Sequence, residues 1–273
     1  MTGIATGPGE SRAPLLVALH GGGYNARYYD LPGHSLLDLA EATDFQVIAL
    51  NRPGYRGSER IPADGITFAD NAEMLDRAID MLWRRAPDQC PGVVVIAHSV
   101  GAAIAVHLAA RHPHWPLLGV ALNGLIDSPP QRFVDLFHGT PPGQPVTFTP
   151  EQRRGFMYGP NDTIDPDIIQ RAEPSTEPAP REELLEINDR WPADAPGETA
   201  RVTVPIHCAL ARFDVLWEMN RANIDTFTRR FTSAPSVETT VFPRSGHNID
   251  HHRVGRELHL RQLAFAWQCA FDR

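Results

Sequence analysis

Short apolar runs alternate with helical patterns along most of the chain. The runs are rich in branched aliphatic residues, and their length is typical of strands rather than helices. Six of them are predicted to be strands, at residues 15–19, 45–50, 93–97, 117–122, 205–210 and 237–242. Such nearly continuous hydrophobicity is typical of parallel strands with both faces buried. The pattern therefore predicts an α/β fold, in which helices cover both faces of a mostly parallel sheet of about six strands.

Three helices are predicted around this sheet. The first carries apolar residues at positions 68, 72, 75, 79 and 82, and Asp70 and Glu73 predict a capping box at its start. The second is rich in alanine and runs from Ser99 to about Arg111. The third closes the chain, and its predicted apolar face is formed by Leu260, Leu263, Ala264, Trp267 and Phe271.

Residues 128–200 interrupt this alternation. The segment contains 13 of the 25 prolines, and it has 13 acidic residues against six arginines. Its predicted helices are short, at residues 151–157, 166–171 and 181–190, so it cannot bury a large core of its own. An acidic linker is one interpretation, but the segment is too rich in aromatic residues for disorder. We expect an inserted cap, or lid, over a core formed by residues 1–127 and 201–273.

A serine lies where the third predicted strand meets the alanine-rich helix, in the sequence Ala97-His98-Ser99-Val100-Gly101. A serine at such a turn is held in a strained backbone geometry that lifts its hydroxyl above the edge of the sheet. Small neighbours are needed because strand and helix approach closely, and Gly101 and Ala102 meet that need. Ala97 stands where a glycine is more usual. The context predicts that Ser99 is a nucleophile.

Two further residues follow at the ends of later strands. Asp214 ends Ala211-Arg212-Phe213-Asp214, and His247 lies in Ser245-Gly246-His247-Asn248. All three side chains are thus expected at the carboxyl edge of the sheet, where open α/β sheets bind their ligands. The motifs, and the chain order serine, aspartate, histidine, resemble those of the α/β-hydrolase superfamily, in its serine-nucleophile esterase and lipase branch. The resemblance covers residues 15–127 and 201–271.

This resemblance implies a catalytic triad. His247 would take the proton of Ser99, and Asp214 would hold His247 in the required tautomer. Asp127, after the fourth predicted strand, is the alternative acid. Because position 99 is a serine, the resemblance excludes dehalogenases and epoxide hydrolases, which use an aspartate as nucleophile.

A glycine-rich motif, His20-Gly21-Gly22-Gly23, follows the first predicted strand and is similar to the oxyanion turn of esterases. The resemblance implies an oxyanion hole formed by the backbone amides of Gly22 and Val100, with a contribution on the order of 3 kcal/mol per donor. Gly23 is an alternative to Gly22, and a simple turn is the alternative to both. The segment from Asn51 to Ser58 also resembles a family loop, which we interpret as architecture near the site.

The resemblance also implies a pair of antiparallel strands before the first parallel strand. Only 14 residues are available there. We therefore expect the antiparallel strands to be missing or truncated.

Composition removes several classes of function. All 25 basic residues are arginine, so chemistry that requires a lysine, such as Schiff-base formation, is excluded. The net charge of −8 and the lack of a basic run argue against nucleic-acid binding. No apolar stretch approaches the roughly 18 residues that span a bilayer, and the first residues do not resemble a secretory signal. A cytoplasmic protein with no membrane partner is expected.

Histidines cluster at positions 107, 112 and 114 and at positions 247, 251 and 252, which is the pattern that could indicate a metal site. Histidines one helical turn apart can share a zinc ion. Spacing places no third ligand, however, and His247 already has a role in the triad. No metal or cofactor is expected.

The sequence thus predicts a hydrolase that cleaves a carboxylic ester or lactone, with a thioester as a further option. The partner is expected to be a small molecule with an apolar acyl or alcohol group. Predicted pocket residues are Tyr24, His98, Phe137, Met157, Trp191 and Trp217. The alternatives are a cofactor-free lyase, cyclase or acyltransferase on the same fold, or a non-catalytic small-molecule receptor.

Overall fold

One sheet organises the described residues of the computed structural model, which are residues 1–7, 11–62 and 65–271. Its strands are β1 (Gly3–Thr6), β2 (Leu15–Leu19), β3 (Val47–Leu50), β4 (Val93–His98), β5 (Leu117–Asn123), β6 (Ile206–Ala211) and β7 (Val237–Phe242). The strand order is β1-β3-β2-β4-β5-β6-β7. β1 is antiparallel to β3, and every other neighbouring pair is parallel. The predicted mostly parallel sheet is confirmed.

The N-terminal strand corrects the prediction. β1 pairs with β3 along four residues, so that Gly3 lies opposite Leu50 and Thr6 lies opposite Val47. The short N-terminal segment is therefore sufficient for an antiparallel edge strand, and the described sheet has seven strands rather than about six. The sequence pattern did not reveal β1 because an edge strand is only partly buried, and Gly-Ile-Ala-Thr contains no apolar run.

Helices cover both faces of the sheet, as predicted. They are α1 (Leu36–Glu41), α2 (Phe68–Trp83), α3 (Val100–Ala110), α4 (Gln131–His138), α5 (Pro150–Met157), α6 (Ile168–Ala172), α7 (Arg181–Leu185), α8 (Trp191–Ala200), α9 (Arg221–Arg229) and α10 (Gly255–Phe271). Successive strand residues point to opposite faces. Leu15 and Val17 belong to the core under α2 and α3, whereas Leu16 belongs to the core under α1 and α10.

Two details of the predicted helices are wrong. The capping box of α2 joins Thr67 to Asp70: each side chain accepts a hydrogen bond from the other residue's amide, at 3.1 and 3.0 Å. It lies one turn before the predicted box because Thr67 is the residue that precedes the helix. In α10, Leu260 and Phe271 are 46% and 77% exposed. Polar Gln262 is buried instead, which the hydrophobic pattern could not indicate.

The segment of residues 128–200 joins β5 to β6 and is helical over much of its length. It contains α4 to α8 and a π-helical turn, Glu186–Arg190, between α7 and α8. α8 was not predicted because it contains Pro192 and Pro196. Pro192 is tolerated because it lies in the first turn, where its missing N–H would have no helical partner.

Hydrogen bonds attach this helical segment to loops at the carboxyl edge of the sheet. The amide of Glu177 donates to the carbonyl of Gly23 at 2.9 Å, and the amide of Asn248 donates to the carbonyl of Met157 at 2.9 Å. The Trp191 indole donates to the Ile126 carbonyl at 2.8 Å. The segment therefore lies over the edge at which the predicted site residues were expected.

Within the described ranges, no helix combines the length and the apolar character needed to cross a bilayer.

Candidate active site

Ser99 occupies a strained turn between β4 and α3. Its φ is 55° and its ψ is −123°, a conformation that non-glycine residues rarely adopt. Its amide donates to the Asn123 carbonyl at 2.8 Å, at the end of β5. A Cβ at Gly101 would lie 2.5 Å from the carbonyl oxygens of both Leu19 and His20. Glycine at position 101 is therefore what allows α3 to start so close to the end of β2.

His247 and Asp214 form a buried pair beyond the ends of β7 and β6. Because a carboxylate only accepts, His247 Nδ1–H donates to Asp214 Oδ2, at 2.7 Å. The other carboxylate oxygen, Oδ1, accepts from the amide of Leu216 at 2.9 Å. The side chains of both His247 and Asp214 are 1% exposed. This arrangement leaves Nε2 of His247 as the ring nitrogen without a proton, which is the tautomer of a general base.

Asp127, the alternative acid, has a different partner. It is buried and forms an ion pair with Arg230, at the end of α9. The structure therefore brings Asp214, and not Asp127, to the ring of His247.

The glycine turn after β2 lies beside Ser99. Gly22 and Val100 both line the cavity that Ser99 and His247 also line. The Gly23 amide faces another partner, because it donates to the Tyr55 hydroxyl at 3.3 Å. Of the two candidate amides of the turn, Gly22 is the one whose residue borders the cavity.

This cavity has a volume of about 40 Å³ and a mostly apolar wall. The helical segment and the loop after β6 supply its large side chains: Phe133, Phe137, Phe148, Phe156, Met157 and Trp217. Three of the six predicted pocket residues, Phe137, Met157 and Trp217, are thus part of the wall.

The other three predicted pocket residues lie outside this wall. Trp191 is fully buried and packs against Phe227. The Tyr24 hydroxyl accepts a hydrogen bond from Asn248 at 2.7 Å. The His98 ring stacks on Tyr28, with 4.6 Å between ring centroids.

His98 lies next to His247 but adds no charge there. The two rings are 4.8 Å apart, and His98 Nε2 is 3.3 Å from the His247 carbonyl oxygen, to which it donates. Burial, followed by the repulsion of His247, lowers the pKa of His98 well below its ordinary value. A neutral His98 can therefore position the loop of His247 without placing a positive charge beside it.

His252 and His107, one from each cluster, have structural partners. His252 Nε2 accepts from the amides of Gly159 and Gly246, at 3.0 and 2.9 Å, and His252 Nδ1 donates to the carbonyl of Asn248 at 2.7 Å. His107 lies 3.4 Å from Glu198. Across the part of the chain that the structure describes, no group of three or more His, Cys, Asp or Glu residues is arranged to hold a metal ion.

Two polar residues near the cavity were not predicted from the sequence. Asn188 lines the cavity wall. Glu183 accepts two hydrogen bonds from Arg52 beside the glycine turn. Both residues lie in the segment of residues 181–190, Arg-Glu-Glu-Leu-Leu-Glu-Ile-Asn-Asp-Arg. This pattern is typical of an amphipathic helix with a solvated polar face. It therefore does not indicate that Glu183 and Asn188 are buried.

Comparison with known proteins gives the class to which this fold and site belong. A sequence model of the Alpha/beta hydrolase family matches residues 16–257. The chain therefore belongs to the α/β-hydrolase family, and the expected fold and enzyme class are confirmed.

Individual relatives are more distant. Protein phosphatase methylesterase 1 of Mus musculus is 25% identical over 138 residues, which are 50% of this chain and 34% of that protein. The match thus spans about a third of the length of the curated relatives.

Two solved structures have the same fold at 18% identity. A thermophilic esterase from Thermogutta terrifontis has a TM-score of 0.68, with 98% of this chain and 93% of that chain covered. A carboxyl esterase from Bacillus coagulans has a TM-score of 0.70, with 97% and 93% covered.

Proposed function

We propose that the protein is a serine hydrolase that cleaves a carboxylic ester or lactone through an acyl-enzyme on Ser99. The observation that carries the proposal is the shared cavity of Ser99 and His247, with His247 bonded on its far side to buried Asp214. A serine hydroxyl becomes a strong nucleophile when an imidazole takes its proton, and the carboxylate stabilises the imidazolium that results. The family membership agrees with this chemistry.

In the proposed reaction, Ser99 Oγ attacks the ester carbonyl carbon while His247 Nε2 takes the serine proton. The tetrahedral intermediate collapses as His247 returns that proton to the leaving alcohol. Water, activated by the same histidine, then releases the acid and restores Ser99. We assign the oxyanion hole to the amides of Gly22 and Val100, because both residues border the cavity beside Ser99.

We also propose that residues 128–200 act as a cap over a core of residues 1–127 and 201–273. Five of the six Phe, Met and Trp residues of the cavity wall belong to this segment, as do Leu184 and Ile187. Aromatic and aliphatic walls hold apolar groups and exclude water. The small cavity favours short acyl or alcohol groups. The name of the mouse relative, a methylesterase, agrees with an ester of a small alcohol.

The test begins with labelling. Wild-type protein, Ser99→Ala and Ser233→Ala are exposed to a fluorophosphonate, and the intact masses are measured. Ser233 is exposed and does not line the cavity, so it serves as the matched control for Ser99. We expect one adduct on the wild type and on Ser233→Ala, and none on Ser99→Ala.

Turnover of p-nitrophenyl acetate, butyrate and octanoate completes the test. We expect hydrolysis by the two proteins that are labelled, faster for the short esters, and loss of nearly all turnover in Ser99→Ala. An unlabelled wild type that cleaves no ester would contradict the proposal and favour a receptor.

A further inference from the structure

The cavity beside Ser99 offers very few polar side chains. Among the described residues that line it, these are Ser99, His247 and Asn188. The indole N–H of Trp217 is directed to the Gly124 carbonyl, at 3.0 Å, and is not available to a ligand. No Asp, Glu or Arg side chain belongs to this described wall. A substrate therefore meets one neutral polar group besides the two residues assigned to the chemistry.

Asn188 is held in a defined orientation. It lies in the middle of the π-helical turn Glu186–Arg190 and is about nine-tenths buried. Its Nδ2 donates to the carbonyl of Leu184 at 2.7 Å. Because a carbonyl only accepts, this bond fixes the amide nitrogen on the side of Leu184 and leaves Oδ1 on the other side of the planar amide group.

The π-helical turn explains how a polar side chain comes to face an apolar cavity. Such turns are rare, and they occur frequently at functional sites because the extra residue rotates the side chains that follow it. Leu184, Ile187 and Asn188 all line the cavity, so this face of the helix is directed at the cavity. A buried asparagine lowers the stability of the protein unless both its Nδ2 and its Oδ1 form hydrogen bonds.

We propose, building on the esterase function above, that Asn188 Oδ1 accepts a hydrogen bond from the substrate, and that the substrate is a small neutral ester carrying a hydroxyl or an amide N–H. The substrate group must be a donor because Oδ1 can only accept, whereas Nδ2 is anchored to Leu184 through one of its two N–H groups. A neutral group is required because a charged group would lose its hydration in a wall with no countercharge. A site that presents a buried acceptor selects against analogues without the donor, since binding these leaves the acceptor unpaired.

The test compares esters of nearly equal size. For the acyl half, p-nitrophenyl glycolate carries a hydroxyl where the propionate has a methyl group, and the methoxyacetate has an oxygen that cannot donate. For the alcohol half, 2-hydroxyethyl acetate is compared with propyl acetate. Each kcat/KM is divided by the rate of hydroxide hydrolysis, which removes differences in intrinsic reactivity. We expect the wild type to prefer the donor ester in one of the two halves by roughly tenfold, the effect of one neutral hydrogen bond.

Asn188→Leu keeps a similar shape and should reduce that preference to about one. Ile187→Val is the matched control, because it changes the neighbouring apolar wall and should alter both esters of a pair alike. The ratio is measured within each protein, so a loss of stability does not affect it. The wild-type ratios also test the proposal if Asn188→Leu does not fold.

Equal rates for donor and non-donor esters in both halves, or a preference that persists in Asn188→Leu, would overturn this inference and leave the esterase function intact. The absence of both ester turnover and fluorophosphonate labelling would instead contradict the esterase function itself.

Discussion

The guanidinium of Arg52 and the carboxylate of Glu183 form two hydrogen bonds in the interior, at 2.6 and 3.0 Å. Arg52 follows β3, whereas Glu183 lies in α7 of the helical segment, and their side chains are 0% and 7% exposed. Arg52 also donates to the carbonyls of His20 at 2.8 Å and Gly21 at 3.2 Å. The Tyr55 hydroxyl donates to Glu183 at 2.7 Å. The pair therefore connects the helical segment to the turn proposed as the oxyanion hole.

Glu183→Gln is expected to lower both stability and turnover. Removal of one charge from a buried pair leaves the other uncompensated, which typically costs about 3–5 kcal/mol. The Arg52 bonds to His20 and Gly21 should loosen, so kcat should fall more than KM rises. Urea unfolding and steady-state kinetics, at a temperature where the variant is folded, measure the two effects.

Glu182→Gln is the control for this prediction, because Glu182 is the neighbouring acid and its side chain is 27% exposed, against 7% for Glu183. It should change both quantities much less, since solvent screens a partly exposed ion pair and such pairs contribute about 0–1 kcal/mol. An equal unfolding free energy for Glu183→Gln and the wild type would show that the buried pair does not hold the turn.

Asp214→Asn and Asp127→Asn separate the two candidate acids. An asparagine at 214 can donate to His247 Nδ1 and favour the wrong tautomer, for which a loss on the order of 10⁴ in kcat is expected. Asp127→Asn breaks the ion pair with Arg230 and should act mainly on stability. The kcat of both variants on p-nitrophenyl acetate measures the difference. A larger loss of kcat in Asp127→Asn would reverse the assignment.

Strands β2 to β6 were predictable because each is nearly continuous apolar sequence, and burial on both faces is the dominant constraint on such strands. β7 is largely exposed, and its valine and threonine residues indicated a strand through their β propensity instead. Ser99 was recognisable as a turn residue because strand, small neighbours and helix are adjacent in the chain. Strand β1 was not predictable, because its pairing with β3 depends on a partner far away in sequence and its own side chains are half exposed.

The helical segment was less predictable for a different reason. Glu183 and Asn188 are buried polar residues in a segment that also contains partly exposed Glu182 and exposed Asp189. The sequence does not distinguish the two buried residues from the other two. Which of them is buried depends on how α7 packs against Arg52 and the cavity. That packing is a tertiary property with no local pattern, so the polar selectivity of the cavity could not be predicted from the sequence.

Two glycine substitutions are expected to have opposite effects. Gly101→Ala would place a Cβ 2.5 Å from two backbone oxygens, and the required shift should destabilise the fold by about 1–3 kcal/mol. It should also lower the rate of labelling, because Ser99 and Val100 begin the same helix. Gly155→Ala, in α5, meets no atom within 4 Å and should stabilise the protein by about 0.5–1 kcal/mol. Chemical unfolding of both variants tests this, and equal midpoints would contradict the close approach at Gly101.

Buried histidines predict a loss of stability in mild acid. Burial lowers the pKa of His251 and of His252 to about 4, and it lowers the pKa of His20 and His98 well below the ordinary value. In the unfolded chain these groups titrate near 6.5. Between about pH 6.5 and 4 the unfolded chain therefore binds protons that the folded protein does not. The unfolding free energy should fall with falling pH by up to about 1.4 kcal/mol per unit for each histidine.

Glu186 acts in the opposite direction, because burial raises its pKa to about 7 and the folded protein binds its proton first. One carboxyl group cannot offset four histidines, so the net change remains a loss. Urea unfolding at pH 7.0, 6.0 and 5.0 measures the slope of the unfolding free energy against pH. His252→Gln should reduce the slope, whereas His114→Gln, at an exposed histidine, should leave it unchanged. A wild-type stability that is flat or rises from pH 7 to pH 5 would contradict neutral histidines in the core, since their proton uptake on unfolding requires the slope.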